Sequence, residues 1–347
     1  MANRGGNVKR ILVVGGGLIG ARHVQSVHGH DGCILVGLVD PDPNVLTGAD
    51  VPRYQDMSQV TGPVDGVILA TPTRLHAAQG AFAASKGWHV LIEKPVASDL
   101  ASAQTLSKSV ARAGVGSLVG HHRRYHASVQ QLKSLISQGE IGAPVTASLI
   151  WAMRKPDNYF QDNWRTTDGS PVLINLVHDI DILRFVLGEI TAVAALPGAS
   201  QRESARIESG AVALAFASGA TGTISFADTT PSPWGFEAAT GENPNIGTTG
   251  QDMMWITGTS GAISYPSLSL WGGTDWSTPA AQRNLICKQS DKSPLDAQLD
   301  HFIAVMNGAT PLIDVADATR TLDIALQIEM QLTAQTTGDD HARSALA

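Results

Sequence analysis

The fold of this chain is decided by the stretch RILVVGGGLIG, residues 10–20. Its first five residues form an apolar, β-branched run that is typical of a buried parallel strand. The glycines that follow fit the pattern G-x-G-x-x-G, and a helical pattern opens at Ala21. The first glycine permits a tight turn, the second lets the backbone approach a pyrophosphate, and the third lets helix and strand pack closely. The stretch therefore predicts a dinucleotide site at a helix amino terminus, with cofactor contacts from Gly15, Gly17, Leu18, Ile19 and Gly20.

A carboxylate for the cofactor's ribose follows the second strand. The apolar run at residues 33–39 ends at Asp40, which lies 20 residues beyond Gly20. This is the spacing expected for the group that binds a ribose 2′-hydroxyl, although Asp40 could also be a turn residue before Pro41. The next residues, Pro41, Asp42 and Pro43, include no arginine for a 2′-phosphate, and Asp42 would repel one. The sequence therefore predicts NAD as the cofactor in preference to NADP.

The chain continues as alternating strands and helices up to about residue 120. We expect strands at 65–70, 89–92 and 115–120, and helices at 77–86 and 100–113. Regular alternation with short loops predicts a doubly wound parallel sheet, which binds ligands outside the carboxyl ends of its strands. Asp40, Thr71, Lys94 and His121 all fall at such ends. They are therefore expected to gather around one crevice.

The tripeptide Glu93-Lys94-Pro95 lies at the end of the strand at 89–92. Alone it is a weak signal, because the same residues occur on charged surface turns. Its place downstream of the glycine motif, at the carboxyl end of a strand, predicts instead that the ammonium group of Lys94 is directed at a substrate.

Beyond residue 125 the sequence pattern changes. It predicts helices at 129–137, 174–187, 295–307 and 316–334, strands at 145–153, 211–216 and 221–226, and a long loop at 230–250. The strand-like runs between about 190 and 272 favour an open, largely antiparallel sheet. We therefore predict a Rossmann domain over residues 1–123, followed over residues 124–347 by an α/β domain for substrate binding and oligomerisation.

Composition limits the class of protein. The net charge is 24 − 31 = −7 with no long basic run, which argues against nucleic acid or an anionic membrane as a partner. No stretch reaches ~18 apolar residues, the length needed to span a membrane. The fit of the early apolar run to the glycine motif argues against a signal peptide. The two cysteines, Cys33 and Cys287, suggest no disulfide framework, so a reducing, cytoplasmic location is expected.

At this point the chain resembles the Gfo/Idh/MocA family, the relatives of glucose–fructose oxidoreductase and inositol dehydrogenase. The resemblance covers nearly the whole chain and depends on segments that occur in the family's order. These segments are GGGLIG (15–20), ATPTRLH (70–76), HVLIEKP (89–95), GHHRRYH (120–126) with LKSLISQGEIG (132–142), HDID (178–181) and PLDAQLDHF (294–302). The family's architecture implies a Rossmann domain followed by an α/β domain whose open sheet mediates dimers or tetramers.

The resemblance implies that Lys94 is the catalytic lysine and His178 the catalytic histidine. It also implies cofactor contacts from Thr71, Pro72, His76, Glu93 and Lys94, and substrate contacts from His122, Arg123, Lys155 and His178. Asn175 is a further candidate for substrate contact because of its place on the helix of His178. Elementary chemistry agrees, because oxidising an alcohol by hydride transfer also requires removal of the hydroxyl proton. A partly desolvated lysine beside a cationic nicotinamide has a lowered pKa, and histidine titrates near neutrality. In the family the peptide bond before the proline is often cis.

One position departs from the family's pattern. Many relatives carry an aspartate four residues before the histidine, where this chain has Ile174. Asn175 lies i, i+3 from His178 on the predicted helix, so the two side chains can share a face, and Asn175 could substitute for the missing carboxylate. Asp181 is interpreted as a supporting or structural group. The departure weakens any transfer of inositol specificity.

Other candidates carry less weight. His121, His122 and His126 lack a metal-ligand pattern, because adjacent histidines on a strand point to opposite sides and no cysteine or carboxylate pattern accompanies them. We therefore predict no metal site. Four loop residues could contact substrate, but the sequence favours packing at the surface or at an interface at least as strongly for each. They are Tyr159, Trp164, Trp234 and Glu237.

The sequence thus predicts an NAD-dependent dehydrogenase that oxidises a secondary alcohol of a sugar, cyclitol or related polyhydroxylated ring. A reductase of a non-sugar carbonyl or cyclic diol remains an alternative. A cofactor-binding regulator without turnover is a third reading, which the presence of both Lys94 and His178 disfavours. The expected partners are a small-molecule substrate and further copies of the same chain, as a homodimer or homotetramer.

Overall fold

A computed structural model describes residues 8–46, 50–160, 170–202, 207–285 and 290–344 of the chain. The chain divides into two compact units. The first comprises Met1–Tyr125 with Asp291–Leu322, and the second comprises His126–Ser290 with Asp323–Ala347. The first unit ends at Tyr125, two residues beyond the expected domain boundary at 123/124. The chain then returns to this unit at residues 291–322, which a prediction of two contiguous domains does not include.

The helices alternate with the strands in the first unit and flank the sheet strands of the second. Their bounds are α1 (Leu18–His28), α2 (Thr73–Ser85), α3 (Leu100–Ala113), α4 (Ala127–Ser137), α5 (Val177–Leu187), α6 (Phe236–Thr240), α7 (Pro294–Met306) and α8 (Val315–Ser344). Short 3₁₀ turns cover Met57–Gln59, His122–Tyr125 and Asp157–Phe160, and a π-helical turn covers Val172–Leu176. Across the described residues, no helix combines the length and apolar character needed to cross a membrane.

The first unit is built on a parallel sheet, which confirms the predicted Rossmann-type fold. Its strands within the described residues are β1 (Lys9–Val14), β2 (Cys33–Val39), β3 (Arg53–Tyr54), β4 (Gly66–Leu69), β5 (His89–Ile92) and β6 (Ser117–Val119). Their order is β3-β2-β1-β4-β5-β6, and each neighbouring pair is parallel. The chain therefore starts in the middle of the sheet and winds outward in both directions, so the strand order reverses beside β1.

Local signals explain why these elements form where they do. The side chain of Asp99 accepts a hydrogen bond from the Ser102 backbone N–H at 2.8 Å and so caps α3, which ends at Gly114 in the left-handed conformation. Helix α2 begins at Thr73, four residues before the alanine-rich segment in which it was predicted, because Pro72 fixes a backbone angle suited to the start of a helix. One apolar cluster, which includes Ile11, Ile68, Leu91 and Phe302 of α7, packs within this unit.

The second unit contains a larger, mostly antiparallel sheet, as predicted. Its described strands are β7 (Pro144–Ala152), β8 (Ile190–Pro197), β9 (Ser209–Phe216), β10 (Thr221–Ala227), β11 (Met254–Gly258), β12 (Gly261–Tyr265), β13 (Ser269–Gly272) and β14 (Ala281–Asn284). The order is β14-β13-β12-β11-β7-β10-β9-β8, and of these neighbours β10 and β7 run parallel.

The two faces of this sheet differ. Alternate residues such as Leu149, Leu214 and Ile224 are buried in a cluster that also contains residues of α4, α5 and α8. Many of the intervening residues are small and exposed, such as Ser148, Thr223, Ser225, Ala211 and Ala213, and Leu196 is a larger exposed residue among them. The pattern of inward and outward residues is that of an antiparallel sheet covered on one face.

Two predictions in the second unit were wrong in detail. The segment at 230–250 is not entirely a loop, because the short helix α6 lies within it. The helix predicted at 174–187 becomes α-helical at Val177, and the residues before it form the π turn. An apolar run does not distinguish an i→i+4 from an i→i+5 hydrogen-bonding pattern, so sequence periodicity could not reveal this turn.

Candidate active site

The carboxyl edge of the first sheet carries the residues that the sequence predicted there. Asp40 follows β2, Thr71 lies two residues after β4, Lys94 lies two residues after β5, and His121 lies two residues after β6. Because these strands are parallel, all four residues lie at the same edge of the sheet. Lys94 is half-buried there.

The glycine loop at this edge has the shape that a pyrophosphate requires. Gly15 has φ +94°, and a Cβ atom at this position would lie 2.5 Å from the Ala70 carbonyl oxygen. A Cβ atom at Gly20 would lie 1.9 Å from the Gly15 carbonyl oxygen, so strand and helix need glycine there to pack. By contrast, nothing lies within 4 Å of a Cβ atom built at Gly17. No side chain caps α1, and its first turn contains no acidic residue, so its backbone N–H groups suit an anionic ligand.

Asp40 is placed where it supports this loop. Its Oδ2 atom accepts a hydrogen bond from the Gly16 N–H at 2.7 Å, and its Oδ1 atom accepts one from the Asp42 N–H at 2.9 Å. Each carboxylate oxygen can accept a further hydrogen bond, so these contacts are compatible with a ribose hydroxyl. Sequence reasoning missed Arg53, whose guanidinium donates to the backbone carbonyls of Val45 and Leu46 beside this loop.

Glu93 is buried beside α1 and does not line an open surface. Its Oε1 atom lies 2.8 Å from Nε2 of His23, and its Oε2 atom accepts a hydrogen bond from the Lys94 N–H at 3.2 Å. Burial opposes ionisation of this carboxyl group, but the hydrogen bond and charge of His23 and the charges of His122 and Lys94 outweigh it. The result is a pKa lowered from 4.5 to about 2. The Lys94–Pro95 peptide bond is cis.

The remaining residues predicted at the cofactor lie around the amino end of α2. Thr71 donates from its hydroxyl to Oε1 of Gln79 at 2.6 Å, and Pro72 is exposed immediately before the helix. His76 is 1% exposed, and its two ring nitrogens lie 2.8 Å from the carbonyl oxygens of Pro95 and Thr71. His76 therefore supports the residues after β4 and β5 from the interior of the unit.

The histidines and arginines after β6 form a 3₁₀ turn over His122–Tyr125. His122 is half-buried, with Nδ1 3.4 Å from the Gly120 carbonyl oxygen, and Arg123 is buried. Arg124 donates to Asp317 at 2.8 Å and to the Leu312 carbonyl at 3.0 Å, which makes it a structural residue of the first unit. Within the described ranges, no group of three His, Cys, Asp or Glu side chains is arranged to hold a metal ion.

In the second unit, Lys155 lies just beyond the end of β7 and is nearly buried. Its ammonium nitrogen donates to Oδ1 of Asn175 at 2.7 Å. The same nitrogen lies 5.4 Å from the centre of the Trp151 ring and 5.0 Å from that of Tyr159, both within the range of a cation–π interaction. The structure thus brings together two of the residues predicted to contact substrate.

Asn175 belongs to the π turn, and His178 follows it on the first turn of α5. His178 is 6% exposed, and its neighbours Asp179 and Asp181 are also buried. π turns are rare and are found disproportionately at functional sites. Here the turn places the amide of Asn175 against Lys155.

A buried ion network holds the backbone of Lys155 in place, and the sequence did not predict it. Arg202 Nη1 lies 2.6 Å from Asp228 Oδ1 and 3.5 Å from Glu208 Oε1, and both carboxylate side chains are fully buried. Arg202 Nη2 donates to the carbonyls of Asp228 and Lys155, and the Lys155 N–H donates to the Asp228 carbonyl at 2.9 Å. The network therefore fixes the backbone of Lys155. Arg202 and Glu208 lie between β8 and β9, whereas Lys155 follows β7 and Asp228 follows β10, so no single local motif reveals the network.

The other loop candidates are spread over the second unit. Tyr159 lies against Lys155 as described, whereas Trp234 is 38% exposed and pairs with Ala152. Glu237 is buried in α6, a position compatible with packing as well as with substrate contact. Trp164 lies outside the described residues.

Comparison with known proteins agrees with this geometry. Residues 9–121 match the family described as "Oxidoreductase family, NAD-binding Rossmann fold", and residues 129–264 match the "GFO/IDH/MocA C-terminal domain". The chain belongs to the GFO/IDH/MocA family. Its amino-terminal domain is accordingly an NAD-binding Rossmann domain of the oxidoreductase type.

Curated relatives in the family include enzymes of cyclitol and sugar chemistry. The chain is 26% identical over 281 residues to scyllo-inositol 2-dehydrogenase (NAD(+)) of Bacillus subtilis, covering 76% of this chain and 74% of the relative. It is 36% identical over 135 residues to 1,5-anhydro-D-fructose reductase of Ensifer adhaerens, covering 38% of this chain and 40% of the relative. The matched part of the first relative is thus about three quarters of its length, and that of the second is less than half.

Solved structures share the fold over nearly the whole chain. The WlbA dehydrogenase from Bordetella pertussis, in complex with NADH and UDP-GlcNAcA, superposes with a TM-score of 0.74 at 22% sequence identity. The match covers 93% of this chain and 95% of that one. At this identity the likeness establishes the fold.

Proposed function

We propose that this chain is an NAD-dependent dehydrogenase that oxidises a secondary alcohol of a sugar, cyclitol or related polyhydroxylated ring. The observation that carries the proposal is the set of residues at the carboxyl edge of the first sheet. There, a glycine loop shaped for a pyrophosphate lies at the same edge as a half-buried lysine that is held at a fixed strand end. The relatives named for inositol and anhydrofructose support the substrate class.

Each residue has a defined role in the proposed reaction. When bound, the nicotinamide supplies the hydride acceptor for the carbon–hydrogen bond of the alcohol. Lys94 polarises the hydroxyl oxygen, and His178 accepts the hydroxyl proton, so that a carbonyl forms as the hydride leaves. Gly15, Gly17, Gly20 and the α1 amino terminus hold the phosphates, and Asp40 holds the adenosine ribose.

The substrate contacts are proposed for the second unit. The ammonium of Lys155 and the amide of Asn175 offer several hydrogen-bond donors beside two aromatic rings. Sugars and cyclitols present hydroxyl groups around an apolar ring face, which suits such a combination of polar donors and aromatic surface. His122 and Arg123 are proposed as further substrate contacts from the first unit.

The test is a screen of polyols and sugars in which NAD reduction is followed by nicotinamide absorbance. On the substrate found, Lys94→Ala and His178→Ala should each lower kcat on the order of a hundredfold, as for the loss of a positioned acid–base group. If both act on one proton transfer, the double variant should be little worse than either single variant. The NADH dissociation constant should change much less.

Lys108→Ala is the matched control, because Lys108 is an exposed lysine of α3 in the same unit. It should leave kcat unchanged. Near wild-type turnover in Lys94→Ala would reject the mechanism, and losses that multiply in the double variant would reject the shared proton transfer. Running the screen with NADH and carbonyl compounds tests the reductase alternative in the same assay.

We also propose that the chain forms a homodimer or homotetramer through the open face of the second unit's sheet. The exposed residues of that face are uncharged and mostly small, as at Ala211, Ala213, Thr223 and Ser225, and they include the larger apolar side chain of Leu196. Such a face can pack closely against a copy of itself. Sedimentation analysis at micromolar concentration should therefore give a dimer or tetramer, and a monomer there would contradict the proposal.

A further inference from the structure

We propose that His23 and His76 are positioning residues for Lys94, one holding the residue before it and the other holding the residue after it. The proposal rests on the role of Lys94 in the proposed function. Both histidines belong to the first unit, on successive helices α1 and α2. Both side chains are buried, at 2% and 1% exposure, and their ring nitrogens face oxygen atoms of residues around Lys94.

His23 holds the Glu93 side of the lysine. Its Nε2 atom lies 2.8 Å from Glu93 Oε1, while Glu93 Oε2 accepts the hydrogen bond from the Lys94 N–H. The opposite side of the carboxylate is closed by Gly120, where a Cβ atom would lie 2.8 Å from Glu93 Oε2 and 3.1 Å from Glu93 Cα. The carboxylate is therefore fixed by an imidazole, a backbone N–H and close packing. It transmits the position of α1 to the backbone of Lys94.

His76 holds the Pro95 side. Its Nδ1 atom lies 2.8 Å from the Pro95 carbonyl oxygen, and its Nε2 atom lies 2.8 Å from the Thr71 carbonyl oxygen. Because both partners are acceptors, an imidazolium can donate to both carbonyls, whereas a neutral imidazole donates to one of them and only packs against the other. Thr71 and Pro95 follow neighbouring strands of the sheet. The ring thus restrains the loop that follows Lys94 relative to the loop at the cofactor edge.

This arrangement matters because the lysine side chain is long and flexible. Four methylene groups separate its backbone from the ammonium, so the chemistry depends on where the backbone is held. A misplacement of about 1 Å in a catalytic group can lower the rate on the order of a hundredfold. The helix that presents its amino terminus to the pyrophosphate is also the helix that carries His23. Lys94 is therefore positioned by the same element that receives the cofactor.

The experiment compares disruptive and conservative substitutions on the full-length protein. His23→Leu and His76→Leu remove the polar contacts, whereas His23→Gln and His76→Asn place an amide near the position of the contacting ring nitrogen. Each leucine variant should lower kcat at least about tenfold, with the NADH dissociation constant within about twofold of wild type, because the phosphate and ribose contacts remain. The amide variants should recover most of kcat.

His89→Leu is the matched control. His89 lies at the amino end of β5, where its Nδ1 atom accepts a hydrogen bond from the Gly116 N–H at 2.8 Å. Its loss should lower stability without lowering kcat, because that end of the strand is remote from Lys94. An equal fall in kcat for His89→Leu, or no recovery in the amide variants, would show that the histidines have a general structural role and would overturn the inference.

Combination with Lys94→Ala separates this inference from the proposed function. If the histidines act through Lys94, adding His76→Leu to Lys94→Ala should lower kcat by less than about twofold further. A full additional loss would overturn the positioning role. If Lys94→Ala is itself active, the proposed function fails. If Lys94→Ala is inactive while His23→Leu and His76→Leu keep wild-type kcat, only the positioning inference fails. If a leucine variant does not fold, the kcat of the amide variant at the same position tests the inference instead, because the inference expects that variant to keep most of the wild-type kcat.

Discussion

Replacement of Arg202 by glutamine should destabilise the second unit strongly. Arg202 is the cation between Asp228 and Glu208, whose side chains are both fully buried, whereas 21% of the arginine side chain is exposed. Burial alone would lower the pKa of Arg202, but its hydrogen bond to Asp228 and the charges of both carboxylates raise it, so it stays charged. Arg202→Gln would leave two buried carboxylates without their cation.

The size of the effect follows from that burial. Removing one partner of a buried ion pair costs about 3–5 kcal/mol, and the partial exposure of Arg202 places the expected loss at about 3 kcal/mol. For a domain of this size, about 3 kcal/mol corresponds to a fall in Tm of roughly 6–12 °C. The double variant Arg202→Gln with Asp228→Asn should be less destabilised than Arg202→Gln, because one of the two buried charges is then absent.

Scanning calorimetry measures both values, with Arg283→Gln as the control. Arg283 pairs with Glu140 at the surface of the same unit, where 62% of its side chain is exposed. Such a pair contributes about 0–1 kcal/mol, so Arg283→Gln should barely move the transition. If Arg202→Gln and Arg283→Gln lowered Tm equally, the network would not stabilise the unit in the way its burial indicates.

The other predictions concern the first unit. Gly17→Ala should fold normally, because nothing lies within 4 Å of the added Cβ, yet weaken NADH binding in a fluorescence titration; unchanged affinity would place the pyrophosphate elsewhere. NADH should bind at least about tenfold more tightly than NADPH, roughly 1.4 kcal/mol, and equal dissociation constants would remove Asp40 from the ribose. The lowered pKa of Glu93 contributes stability that is fully present above pH 4.5 and is lost as the pH falls towards about 2. Between those pH values the free energy of unfolding of the wild type should therefore fall by up to about 3 kcal/mol more than that of Glu93→Gln, as measured by unfolding at a series of acidic pH values.

The parallel sheet of the first unit could be predicted from sequence because its signals are local, whereas the return of residues 291–322 to this unit was not predicted. The bounds of β2, β5 and α3 agree with the prediction to the residue, since each is an apolar run or amphipathic segment bounded by turn or capping residues. Parallel strands then place Asp40, Thr71 and Lys94 at one edge without further information. Side-chain partners far apart in sequence could not be predicted in this way. His23 and Glu93 are separated by 70 residues, and their contact was not predicted from the sequence.

The π turn before His178 shows why residue roles cannot be transferred by counting along this helix. In a regular α-helix successive side chains are about 100° apart, so Ile174 and Asn175 would lie on the face of His178 one turn earlier. The wider i→i+5 turn changes that relation. The amide oxygen of Asn175 is instead bonded to Lys155, a residue 20 positions earlier in the chain. Asn175 is thus bound to Lys155. Its distance in sequence from His178 is therefore no reason to give it the role of the missing aspartate. The substrate preference of this chain should be sought in the Lys155–Asn175 contact and the two aromatic rings around it.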